Sequence, residues 1–357
     1  MPPAMTSSTS LKLLGALVLV AALSLVRYAP AVTVFNPDIG FGYAVARVPE
    51  LTRQLADPAG GGARSNEAVA LRWRLLPPTV GHLLGLRPAG YFSLPLLGAA
   101  VLLALAAAIT YRETRSVGWS ALTGALLCTA SWFFVATGWL GQFDVFYLIG
   151  LIVVDFAPSL LAVGAACALA PWCDERFLLI LPACLCLRWA RSGPGAWRRL
   201  LAVAAVGIAP YVLLRLWAVA QGDASMGRQL ALQGTEFRAY LRNIPDGWWM
   251  GFRLGWILIG AGVAAAFAAL PRAGRVLLVL SLAGGLAVIG LLAWDVSRSI
   301  AVLLPFLLSG AIALHRRWPR GGWRMLIAAA VLNLVLPASH VVESHRIPIR
   351  SIWPRAF

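Results

Sequence analysis

Charge is scarce in this chain. Asp, Glu, Lys and Arg together make up 12% of its 357 residues, about half of what a soluble domain carries. That shortage excludes an ordinary soluble enzyme, and no polar stretch is long enough to form a separate soluble domain. Cysteine is also sparse. Cys128, Cys167, Cys184 and Cys186 lie inside apolar runs and Cys173 sits near the end of one, so no disulfide framework is expected. Cys184 and Cys186 are two apart, which is not a metal-ligand spacing; all five read as small buried apolar residues. Also missing are a Gly-rich phosphate loop, a Ser-His-Asp order, a metal-ligand cluster, an internal repeat and a low-complexity segment. No cofactor and no metal is expected.

What the chain has is apolar surface. Hydrophobic residues account for 60% of it and the mean hydropathy is +0.79. Several apolar stretches approach the roughly 20 residues needed to cross a bilayer. Eleven spans are expected, at about 12–30, 94–110, 119–138, 143–154, 158–171, 176–190, 200–218, 248–269, 276–294, 299–314 and 324–340. The first resembles a signal peptide, with Lys12 ahead of it and Ala29-Pro30-Ala31 behind. Arg27 fits poorly in a cleavage region, so it reads as an uncleaved first helix. The expected fold is all-α: a polytopic transmembrane bundle of about 11 spans forming one membrane domain over 1–357.

The net charge of +16 comes almost entirely from arginine, placed mostly between apolar runs. No basic run is interleaved with polar and aromatic residues on a soluble face, so nucleic acid is not an expected partner; membrane lipids are. One set of alternate loops holds Arg112 and Arg115; Arg191, Arg198 and Arg199; Arg272 and Arg275; and Arg316, Arg317 and Arg320. Short basic loops face the cytoplasm, which puts the N-terminus inside and the C-terminus outside, in the periplasm if the membrane is a bacterial inner membrane. The pattern depends on a break at Asp155-Phe156-Ala157-Pro158, because proline disfavours helix in the residue before it.

The outer face then collects the polar chemistry. It has two long loops, 31–93 and 219–247, and short turns near 139–143, 172–175 and 295–298. Of fourteen acidic residues, Glu113 and Asp155 alone fall inside. The long loops carry amphipathic patterns. Val45, Val48, Leu51 and Leu55 recur at near-helical spacing, Asn66 can cap a helix through "EAVALRWRLL" that Pro77-Pro78 ends, and Phe237, Tyr240, Leu241 and Ile244 follow one helical face behind Thr235. Gly60-Gly61-Gly62 reads as a joint between two of them.

Candidate site residues cluster in five places. Asp38, in "VFNPDIGFGY", suits a general base at the edge of a low-dielectric cavity and equally suits an Asn-Pro-Asp turn. Gln142 and Asp144 follow Gly141 in a turn between spans; an amide both donates and accepts, and ionisable residues at membrane depth are usually functional. Asp174, Glu175 and Arg176 precede an apolar run, as a phosphate-holding group or a neutralised helix start. Asp295 and Arg298 are three apart, and a guanidinium fork fits a phosphate, although a simple interfacial ion pair is the alternative. Arg72, Arg74 and His82 carry anion-binding chemistry or snorkelling side chains, and His82, being alone, makes no metal site.

The "GQFD" turn, the short span after it, the small-residue run "LLAVGAACALA", the charged turn and "FLLILPACLCL" together resemble the GT-C superfamily of integral-membrane glycosyltransferases, over about residues 31–190. The resemblance implies a polyprenyl-phosphate-linked sugar donor, a glycan, lipid or protein acceptor, and a site at the outer face of the plasma membrane. It puts the acceptor-activating acid on Asp38, the turn residues on Gln142 and Asp144, and the basic turn residue on Arg176, where lysine is common in the family. The expected activity is therefore sugar transfer; a lipid-linked glycan polymerase or ligase, or a transporter or flippase, are the alternatives.

Overall fold

The computed structural model describes residues 7–28, 42–60, 71–138, 142–221, 237–293, 295–342 and 345–349. Its helices are α1 (Ser7–Tyr28), α2 (Gly42–Ala56), α3 (Leu76–Leu83), α4 (Pro88–Thr114), α5 (Val117–Cys128), α6 (Ser131–Gly138), α7 (Asp144–Phe156) and α8 (Leu160–Leu169). They continue with α9 (Arg176–Ser192), α10 (Trp197–Ala220), α11 (Phe237–Phe252), α12 (Trp256–Ala269), α13 (Arg272–Leu292), α14 (Val296–Ser299), α15 (Leu304–Arg317) and α16 (Pro319–Val335). A small antiparallel hairpin follows, β1 (Ser339–Val342) against β2 (His345–Pro348), where an uninterrupted span to 340 was expected.

Among the described residues six helices are long and apolar enough to cross a membrane: Ser8–Leu25, Pro88–Thr114, Trp197–Ala220, Leu241–Ala269, Arg272–Leu291 and Val296–Arg317. A seventh crossing arises if α5 and α6 count as one. This makes the chain a helical, multi-pass membrane protein. Many large apolar side chains remain exposed, among them Val206, Leu213, Leu216 and Trp217 on α10. Lipid, not water, is the environment in which that surface is stable.

Several local expectations are corrected. Pro77 and Pro78 do not end a helix; they occupy the first turn of α3, where a missing N–H costs nothing. The loop expected over 31–93 stops short of 93, because α4 already begins at Pro88. The span expected at 119–138 is two helices, bent by 67° at Thr129–Ala130. The expected break at 155–158 is present: α7 ends at Phe156, and Ser159 caps α8 by accepting from the Leu161 N–H.

Val296–Arg317 is the bundle's centre, with 89% of its most apolar stretch buried. Its α15 half meets α12 backbone to backbone. A Cβ on Gly310 would lie 1.8 Å from the Leu258 carbonyl oxygen, and one on Gly262 would lie 2.1 Å from that of Phe306. Small residues are how membrane helices reach such contact without a hydrophobic driving force.

A second knot lies where α11 gives way to α12. Arg253 is fully buried with φ at 49°. Its guanidinium donates to the carbonyls of Asn333 at 2.6 Å and Leu336 at 3.2 Å, and also to that of Thr129. These carbonyls end α16 and α5, where orphan acceptors and the negative pole of the helix dipole favour a cation. Asn333 completes the knot, accepting from the Leu254 N–H at 3.1 Å and donating to Thr129 Oγ1 at 3.2 Å.

Two stability outcomes follow. Gly310→Ala lowers the melting temperature of the detergent-solubilised protein by several degrees, whereas Gly260→Ala, on the facing α12 but with nothing within 4 Å of its Cβ position, leaves it unchanged. Arg253→Met strands the three carbonyls and costs about 3 kcal/mol or more; an unshifted melt for this variant would show that the knot contributes nothing.

Candidate functional site

At one pole of the bundle, charges alternate along a continuous path. Arg74 Nη2 lies 2.9 Å from Asp174 Oδ2 and 3.9 Å from Glu175. Asp174 in turn takes the Arg176 guanidinium in a fork, Nε to Oδ1 and Nη2 to Oδ2, both at 2.7 Å. Arg176 Nη2 continues to Asp144 Oδ1 at 2.8 Å, and Nη1 to Ser299 Oγ at 2.7 Å. The other oxygen of Asp144 is 2.9 Å from Arg298 Nε, which is also 3.0 Å from Asp295 Oδ2. Arg298 donates from Nη1 to Gln142 Oε1. The path ends where His340 Nε2 meets Asp295 Oδ2 at 3.0 Å and His340 Nδ1 meets Ser297 Oγ at 3.1 Å.

Each member is placed by a short polar break. Asp144 opens α7, where the helix dipole favours a carboxylate. Asp174 sits in the turn before α9 and also accepts the Arg176 N–H at 3.0 Å. Asp295 caps the four-residue α14 by accepting the Arg298 N–H at 3.1 Å. Arg74 is held from outside: Gln54 Nε2 on α2 donates to the carbonyls of Leu71 and Arg74. The same α2 contributes Leu51 and Leu55 to a small apolar core with Leu71, Tyr91 and Phe143, the residue next to Asp144.

Asp144, Asp174, Asp295, Arg176, Arg298, Gln142 and His340 are all buried, while the Glu175 side chain is 40% exposed and that of Arg74 15%. The chain of charges therefore opens outward at Arg74 and Glu175. Burial alone would raise the Asp174 pKa; the Arg176 and Arg74 guanidiniums outweigh it and hold this carboxyl well below the usual carboxylate range. At Asp295 burial again pushes up, and His340 with Arg298 brings the value down to about 2.

Beside the open end lie four donors with no hydrogen-bond partner among the described residues. Trp73 Nε1, Arg74 Nε, Tyr211 Oη and Arg215 Nη1 are each buried and unpaired. Arg215 stacks its guanidinium over the Trp73 ring at 4.4 Å, and Trp172 packs edge-on against Tyr211 at 5.0 Å. Tyr147, on α7, adds a fifth unpaired buried donor, its hydroxyl, with Arg176 5.3 Å from its ring. Buried polar groups normally find partners, so a cluster of orphan donors marks a place for acceptor atoms.

Of the residues singled out in the sequence, Gln142, Asp144, Glu175, Arg176, Asp295, Arg298 and Arg74 converge here. Arg72 does not: it is exposed, with its guanidinium 5.6 Å from the Trp73 ring. Nor does His82, whose Nδ1 faces the Leu55 carbonyl at 3.0 Å. Asp38 lies outside the described residues, as do Asn66, Thr235 and Gly61-Gly62. The fold also assembles what the linear order did not suggest, Asp295, His340 and Ser297 in hydrogen-bond reach. Ser297 is fully buried, accepts the Val341 N–H at 3.0 Å and sits 3.1 Å from Ser131 Oγ. A hydroxyl so enclosed fastens the hairpin to the bundle rather than attacking a substrate. Arg215 and Tyr211 were overlooked inside an apolar run. Their four-residue spacing on one helix face, with an arginine at membrane depth, is the signal that finds them. Among the described residues no group of three or more His, Cys, Asp or Glu is placed to hold a metal.

Breaking a buried pair strands its partner and costs about 3–5 kcal/mol, whereas exposed pairs contribute under about 1 kcal/mol. Asp174→Ala should therefore destabilise the protein far more than Glu175→Ala, read as melting temperature in detergent; equal shifts would show that the buried path contributes no more than the exposed pair. Acid sensitivity has a defined sign. Asp295 is deprotonated in the fold down to about 2, so its contribution is complete above the unfolded value near ~3.9 and lost as pH falls from there through about 2. Asp295→Asn should flatten that part of the stability profile. Comparison with known proteins finds no matching family model, and no significant match among curated proteins or solved structures.

Proposed function

We propose that this chain is an integral-membrane glycosyltransferase of the GT-C kind, moving a sugar from a polyprenyl-phosphate-linked donor to a glycan, lipid or protein acceptor at the outer face of the inner membrane. The observation that carries the reading is the group of unpaired buried donors, Trp73, Arg74, Tyr211 and Arg215, at the open end of the ion-pair path. A phosphate ester supplies several acceptor oxygens and negative charge, which is the complement these donors lack. Apolar α10, which carries Tyr211 and Arg215, offers the adjacent surface for a prenyl chain.

The reaction is displacement at the anomeric carbon: the acceptor oxygen forms the new bond, the bond to the lipid phosphate breaks, and the acceptor proton passes to a base. Asp144 suits positioning rather than proton transfer, because each of its oxygens faces a guanidinium, Arg176 on one side and Arg298 on the other. Asp38 is the candidate base. Arg74 and Arg215 stabilise the charge that grows on the departing phosphate, and such preorganised donors are often the largest contribution to catalysis.

The orientation adopted here keeps the N-terminus cytoplasmic and counts α7, α8 and α9 among about eleven crossings. Charge sorting supports it. Glu113 on α4 pairs with Arg112 and with Arg316 on α15, and Asp155 pairs with Arg191 at the ends of α7 and α9 far from the site. No ion pair among the described residues joins the two groups. A second reading, a transporter or flippase, draws on one observation, the 67° break between α5 and α6, since broken helices line many transport sites.

Membranes carrying Arg215→Gln and Asp38→Asn should lose about 100-fold or more of sugar transfer from a polyprenyl-phosphate sugar, with expression and melting temperature retained. Wild-type transfer in both variants rejects the site. Absence of transfer in wild type, together with movement of a lipid-linked sugar between leaflets, favours the second reading.

A further inference from the structure

At the opposite pole, a cavity of about 420 Å³ opens between α8, α9 and the start of α10. Arg188, Trp189, Gly193, Trp197, Arg199 and Leu160 line it. Arg176 and Arg188 are both on α9, so the cavity lies roughly 18 Å along that helix from the ion-pair path.

The lining is built around donors. Arg188 is 8% exposed and uses Nη1 alone, giving hydrogen bonds to the carbonyls of Val154 at 3.1 Å and Ala157 at 2.6 Å. Its Nε and Nη2 bond to no described residue. Trp189 Nε1 is buried and unpaired, while its ring stacks on Trp197 at 4.3 Å. Arg199 has no partner among the described residues. The 24-residue α10 begins at the cavity with no side chain capping it, so the positive end of its dipole faces the same space. The nearby carboxylate, Asp155, is taken by Arg191.

We infer that this cavity binds the phosphate of an anionic phospholipid headgroup. A phosphate oxygen can accept from Trp189 Nε1, Arg188 and Arg199 together, with its charge at the α10 dipole. The source is a lipid because the cavity rim continues into exposed apolar side chains: Leu161 on α8 is 83% exposed, and Leu201 and Val206 follow on α10 at 40% and 74%. Acyl chains lie along that face while the headgroup sits among the arginines, as basic pockets between membrane helices favour. The site is independent of the transfer site at the other pole.

The test uses the full chain in nanodiscs and native mass spectrometry. Wild type should retain phosphatidylglycerol through delipidation in preference to phosphatidylcholine. Arg199→Gln and Trp189→Phe should each weaken that retention about tenfold without changing the melting temperature measured in phosphatidylcholine. Arg199 is exposed, and phenylalanine keeps the ring stack at position 189, so neither variant threatens folding; Arg188→Gln is the more severe companion. Inorganic phosphate at millimolar levels serves as the second arm. Stabilisation by phosphate that phosphatidylglycerol competes away supports the lipid site. Equal retention of the two lipids, unchanged retention in both variants, or phosphate stabilisation with no lipid preference overturns it.

Discussion

Arg176 is the residue on which the polar architecture depends. Its guanidinium reaches the Asp174 carboxylate as a fork, Asp144 on α7 and Ser299 at the end of α14, tying three separate segments at one depth. An isolated guanidinium in that environment would be very costly. With two carboxylates and a hydroxyl around it, it becomes a fixed joint from which Asp144 passes the order on to Arg298 and Asp295. Arg253 does the same at a smaller scale, gathering the ends of α5 and α16 through their carbonyls. Both joints follow one rule of apolar surroundings: a buried charge persists only where its complement is delivered with it.

The two poles of the bundle use this rule differently. One is nearly saturated, with acids and bases in alternation; among the described residues Trp73, Arg74, Tyr211 and Arg215 at its outward end offer donors that meet no acceptor. The other is a cavity whose arginines and indole face open space and whose carboxylate is already taken. Short helices connect them. Asp144 and Asp155 sit at the two ends of α7, about 17 Å apart along its axis, so a single element reports on both.

Much of the site was legible before any fold was known, because polar breaks in apolar runs are conspicuous. Gln142, Asp144, Glu175, Arg176, Asp295 and Arg298 each interrupt such a run, and short α7, α8 and α9 lie within two residues of their expected ranges. Arg72 and Arg74 looked equivalent. They are two residues apart in a turn, so one points to Asp174 and the other to the surface. His340 was hidden at the expected end of the last span, where nothing local signals that a hairpin returns it to Asp295. Arg215 was hidden by its surroundings, since a lone arginine in an apolar run resembles a side chain reaching for the interface.

Sequence alone determined that the chain lives in a membrane, where α7, α8 and α9 begin and end, and which residues carry charge at those breaks, because hydropathy and proline act locally. Tertiary structure decided which charges meet. It made Asp144 a partner of two arginines rather than a free acid, brought Asp295, His340 and Ser297 within hydrogen-bond reach, and left four donors facing no acceptor. Pairing of that kind depends on side chains up to some 200 positions apart arriving at one depth, and no local pattern encodes where a distant helix will place them.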